Sequence, residues 1–84
     1  MAPPKLLQLF RQVIEDQLSS GKPVYVATTL ERLLAEGFSE DEAKNMMAAI
    51  VAHHMGNMIN DDQPFNSEEY RRLLDQLPDF PENA

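Results

Sequence analysis

The chain has 84 residues, one domain's worth, with no room for a catalytic domain beside a second module. Seven Lys and Arg against fourteen Asp and Glu give a net charge of −7, which opposes binding to nucleic-acid phosphates and to anionic lipid. There is no cysteine, so disulfides, thiolate zinc sites and Cys nucleophiles are excluded. With no apolar run near the roughly 18 residues of a spanning helix and no leader-like segment, a cytoplasmic location is expected.

In chain order, Gly and Pro punctuate four segments. Helix 1 is predicted over residues 4–19. Pro4 suits a first turn, where its missing N–H had no helical partner. Leu6, Leu9, Phe10, Val13, Ile14 and Leu18 recur at helical spacing, and Gln8, Arg11, Gln12, Glu15 and Asp16 fill the other face. Ser20 and Gly21 end it, and Pro23 blocks its continuation.

The second segment, residues 24–36, carries two signals. Val24, Tyr25, Val26, Thr28 and Thr29 lean toward strand. Val26, Leu30, Leu33 and Leu34 nevertheless share a helical face, and Pro23 fits a first turn. A helix from Val24 is the favoured reading, because a lone short strand has no partner in this chain. The alternative starts the helix at a Thr28–Glu31 capping box and leaves residues 24–27 extended.

Gly37 reads as the left-handed residue past that helix, with Phe38 placed to pack back on Leu33. Ser39 and Glu42 then form a capping box, and Glu40, Asp41 and Glu42 complement the dipole at the start of helix 3, predicted over residues 40–60. Ala43, Met46, Met47, Ile50, Val51, His54 and Met58 form one face, while Ala48, Ala52, Met55 and Ile59 add apolar surface on another. A helix apolar most of the way round is buried most of the way round, so helix 3 is expected to be central. After a loop, Asn66 caps helix 4 (residues 67–77) with Glu69 at its third position, and Phe65 is placed to staple to Tyr70. Tyr70, Leu73, Leu74 and Leu77 supply its buried stripe. Residues 1–3 and 79–84 are expected to fray.

Few residues invite chemistry. His53 and His54 are neighbours, so on a helix their rings diverge by about 100° and cannot share a metal. The i+4 partners that a zinc helix needs are Asn57 and Met58. His54 falls on the apolar face and is expected to be buried, its nitrogens satisfied by backbone or by a side chain such as Tyr25, with metal binding alongside nearby acids or a pH-sensitive packing role as alternatives. Met46, Met47 and Met58 read as core. Met55 and Ile59, beside Ala48 and Ala52, point elsewhere and mark a candidate interface unless another helix covers them. Asp61 and Asp62 resemble a calcium loop in composition alone; the required Gly is missing and Pro64 takes a ligand position. Glu15 and Asp16 read as a solvated face. No nucleophile elbow, phosphate loop or metal-helix motif is present, so no catalytic residue is assigned.

Three resemblances arise. Leu33, Leu34, Ala35, Glu36, Gly37 and Phe38, followed by a helix, resemble the Gly-Phe turn of ubiquitin-associated domains, which implies peptide binding. The wider pattern of Leu30, Glu31, Arg32 and Leu33, then Gly37, Phe38 and Ser39, Glu42 and Ala43, His54, and Phe65 with Tyr70 looks like a group of small uncharacterised bacterial helical domains. It spans residues 22–77, implies a bacterial cytosolic protein, and carries no active site. The acidic, helical make-up is similar to that of acyl carrier proteins, but the Asp-Ser attachment pair is absent.

The expectation is an all-α domain: a three- to four-helix bundle with helix 3 central and neighbours antiparallel. The expected function is a non-enzymatic protein-interaction module without cofactor, its partner another protein or a second copy docked through Ala48, Ala52, Met55 and Ile59. A small metal- or ligand-binding protein using His54 is the alternative.

Overall fold

The computed structural model describes residues 5–80. Four helices follow one another: α1 (Lys5–Ser20), α2 (Val24–Ala35), α3 (Glu40–Asp61) and α4 (Ser67–Gln76). No strand occurs among the described residues. The expected opening of helix 1 at Pro4 lies outside them, as do residues 1–3 and 81–84.

The helix ends follow local chemistry. Gly21 closes α1 with φ +75°, and its N–H donates to the Gln17 carbonyl at 3.0 Å. Gly37 follows α2 with φ +105°. Its N–H donates to the Leu34 carbonyl at 3.1 Å and that of Phe38 to the Leu33 carbonyl at 3.2 Å, the paired bonds of a Schellman motif. Phe38 packs onto the core that includes Leu33. At the start of α3, Ser39 Oγ accepts from the Glu42 N–H at 3.0 Å, and Glu42 Oε1 accepts from the Ser39 N–H at 2.9 Å. Both halves of the box are present. Asp62 ends α3 in the left-handed region.

Residues 24–28 are helical. Pro23 stands just before the first turn as the N-cap residue, and no Thr28 box forms. Inside a helix the threonines turn their hydroxyls onto the preceding turn. Thr28 Oγ1 donates to the Val24 carbonyl at 3.4 Å, and Thr29 Oγ1 to the Tyr25 carbonyl at 2.7 Å. That bond lets Thr29 be buried. The inward face of α2 is therefore Val26, Thr29, Leu30 and Leu33, while Leu34 faces outward.

The core joins Ile14, Val26, Leu33, Ala43, Met47, Ile50, Val51, Tyr70, Leu73, Leu74 and Leu77. Helix α3 contacts each of the other three helices, as expected of the central one. It is also the long one. Its 22 residues span about 33 Å, close to the molecule's longest dimension of 35 Å. The ten residues of α4 cannot cover that length. The buried positions of α3 accordingly stop at His54, and every later residue is half-buried or exposed.

Polar groups tie the packing together. Arg32 of α2 donates from Nη1 to the Leu77 carbonyl at 2.7 Å and from Nη2 to the Leu74 carbonyl at 3.0 Å. A cation thus meets the negative end of α4. Lys44 of α3, its side chain only 10% exposed, pairs with Glu15 of α1 at 3.0 Å and Glu40 at 2.7 Å. The hydrogen bonds it donates to both carboxylates, that to Glu40 first, hold the Lys44 ammonium above the ordinary lysine pKa, and the Lys44 bond holds Glu40 below the usual carboxylate value. Glu15 is therefore a packing partner, where the sequence reading has it on a solvated face. No helix among the described residues is long and apolar enough to cross a membrane.

Candidate functional site

The end of α3, the loop after it and the first turn of α4 meet at His54. Its ring is 4% exposed. It stacks on Tyr70 with centroids 5.9 Å apart and an interplanar angle of 18°, and meets Phe65 edge-on at 5.1 Å. Phe65 in turn packs edge-on against Tyr70 at 5.8 Å, which is the predicted staple. Three rings thus form one cluster under the start of α4.

Of the two kinds of partner expected for His54, the backbone is the one found. Tyr25 does not reach it; the Tyr25 hydroxyl lies 2.9 Å from Ser67 Oγ instead. His54 Nε2 accepts from the backbone N–H of Asn66 at 3.3 Å. Asn66 Oδ1 meanwhile accepts from the Glu69 N–H at 3.0 Å, so the predicted cap forms. With Nε2 accepting, the proton of the neutral ring sits on Nδ1, and Nδ1 is buried without a hydrogen-bond partner among the described residues. Beneath the cluster, the Tyr70 hydroxyl donates to Gln17 Oε1 at 2.9 Å. Burial, then the neighbouring Tyr25, pushes the Tyr70 phenol up, against the smaller opposing effect of the Gln17 bond.

Two cavities flank this cluster and share His54, Met58 and Phe65 as walls. The smaller, about 110 Å³, is apolar, and Val13, Val51, Met55 and Tyr70 also line it. The larger, about 360 Å³, is polar and brings together Asn57, Asp61, Glu68 and Glu69. Two of the smaller one's apolar walls are themselves exposed, Met55 to 41% and Phe65 to 53%, and Ile59, one turn beyond Met55 on α3, is 80% exposed.

The predicted interface residues therefore divide. Ala48 is fully buried inside the chain, so it offers no docking surface. Ala52 is half-buried, and Met55 and Ile59 are exposed. The exposed surface is thus the second half of the four-residue pattern, Met55 and Ile59, while Ala48 at its start is covered within the chain. The sequence marks Phe65 as a staple only and Val13 as part of the apolar face of helix 1, and it gives no signal for Gln17. The Phe65–Tyr70 spacing does signal the ring cluster, but no local pattern brings α1 to the same place.

His53 lies 3.3 Å from Asn57 Nδ2, one turn away on α3. No group of three or more His, Cys, Asp or Glu side chains able to hold a metal ion is found among the described residues. Nothing in the cluster sets a nucleophile against a base. The arrangement can bind by burying apolar surface beside carboxylates. Comparisons with protein-family models, with curated proteins and with solved structures find no match to this chain.

Proposed function

We propose that the chain is a non-enzymatic protein-interaction module that docks its partner on the second half of α3 and the loop leading into α4. The observation that carries this reading is the exposed apolar pair Met55 and Phe65 on the wall of an apolar cavity, with the exposed Ile59 one turn beyond Met55 on α3. Exposed apolar residues scattered singly need no explanation, but a cluster beside a cavity is what an interface core uses. Methionine adds adaptability, since its unbranched thioether conforms to irregular partners. A bacterial cytoplasmic setting goes with this reading.

The test uses the full chain and the double variant Met55→Glu/Ile59→Glu, whose substitutions fall on exposed positions and leave the core intact. Sedimentation over a range of concentrations reads self-association, and selection from a displayed library of short linear peptides reads binding to other chains. Peptide binding or self-association that the double variant abolishes supports the module. If neither occurs, or both survive the double variant unchanged, the reading is overturned.

A further inference from the structure

The two cavities differ in chemistry yet share one wall, and together they describe a ligand. The apolar one, about 110 Å³, has room for a single aliphatic side chain between Val51, Met55 and Phe65. The polar one, on the other side of Phe65, holds the carboxylates of Asp61, Glu68 and Glu69. Among the described residues no ion pair reaches any of these three, whereas Arg11, Arg32, Lys44 and Arg71 are all engaged with other acids. The acidic cleft is therefore uncompensated next to an apolar pocket. The shared wall carries the buried His54.

Resting on the interaction reading above, we propose that the partner presents a short linear segment with an aliphatic side chain beside a Lys or Arg. The aliphatic side chain fills the pocket against Val51, Met55 and Phe65. The cation lies in the cleft among Asp61, Glu68 and Glu69. Charge complementarity selects this occupant over a second copy. Two chains each of net charge −7 repel, which opposes a symmetric pairing through Ile59 and Met55. The same charge draws a basic partner in and makes its association salt-sensitive.

The peptides selected on the full chain decide this. Sequences pairing Leu, Ile or Met with an adjacent Lys or Arg are expected. Their affinity is expected to fall about tenfold or more for Asp61→Asn/Glu68→Gln/Glu69→Gln, and again between about 50 and about 300 mM salt. Circular dichroism confirms that the triple variant keeps its helices. Selected peptides that lack cations, or that bind the triple variant as tightly as the native chain, overturn the cationic partner and leave the module standing. A dimer that Met55→Glu/Ile59→Glu dissolves, with no peptide selected, makes the occupant a second copy and also overturns this inference. Loss of all binding and all association overturns the module itself.

Discussion

Helices α3 and α4 begin with related chemistry and complete it differently. At α3, Ser39 and Glu42 exchange hydrogen bonds, so both orphan donors at that helix start are satisfied within four residues of chain. At α4, Asn66 makes the first of these bonds, to the Glu69 N–H, but the returning bond comes from His54, twelve residues back on another helix. The first start is closed by its own sequence. The second is closed by the fold, and the residue that closes it also forms the wall of both cavities. A helix start that depends on a tertiary contact is one that a docked partner can influence, and one that core damage can loosen.

The largest expected effect comes from removing that contact. His54→Ala deletes a buried ring between Phe65 and Tyr70 along with the acceptor for Asn66, and is expected to cost about 3 kcal/mol in urea unfolding. His54→Phe keeps a ring and loses the acceptor, and is expected to cost about 1 kcal/mol or less, because the unpaired Nδ1 goes too. Equal losses in the two variants would make the Asn66 bond, and not ring packing, the main support of the α4 start.

A smaller effect separates the two glutamates. Glu42→Ala and Glu69→Ala each remove an acid from a first turn, and so share a dipole loss of about 0.3–1 kcal/mol. Only Glu42 returns a bond to its cap. Glu42→Ala is therefore expected to be the more destabilising, by about 0.5 kcal/mol, in equilibrium denaturation. Equal values would erase the distinction between the two starts.

The smallest effect is read as a slope with pH. Glu40, at the first position of α3, has a lowered carboxyl pKa and Lys44 a raised ammonium pKa, each through their mutual bond. The Glu40 contribution is complete above the ordinary glutamate value and drains as pH falls through its lowered one. The Lys44 contribution is complete below the ordinary lysine value and drains as pH rises through its raised one. Stability from this pair is thus full around neutrality and lost at both extremes. In Lys44→Met, urea midpoints measured from acid to alkaline pH are expected to fall less steeply at either end. Unchanged slopes would show that the α3 start needs no ionic support from its second turn.

The ends and types of the helices were legible in the chain because their causes are local. The Ser39 box, the Gly37 turn with Phe38, the Asn66 cap and the Phe65–Tyr70 staple each involve residues within five or six positions, and the structure contains all of them. Residues 24–28 were ambiguous for a physical reason. Val and Thr favour strands on an isolated backbone, but the burial of Val26 and Leu33 outweighs that preference, and Thr29 satisfies its hydroxyl inside the helix. The candidate site was legible in part. Met55 and Ile59 stand exposed as their positions suggested, while Ala48 is buried, because periodicity tells which residues share a face but not which neighbour covers it.

Local hydrogen bonding and apolar spacing, both written in short stretches of sequence, thus determine four helices with a central third one. Which half of α3 stays uncovered is decided by how the shorter helices dock along it, and its buried positions stop at His54. The partner of His54, the pairing of Glu15 with Lys44 and the meeting of an apolar pocket with an unpaired acidic cleft all join residues from separate helices. Such contacts depend on how the helices dock, and only the tertiary structure decides that.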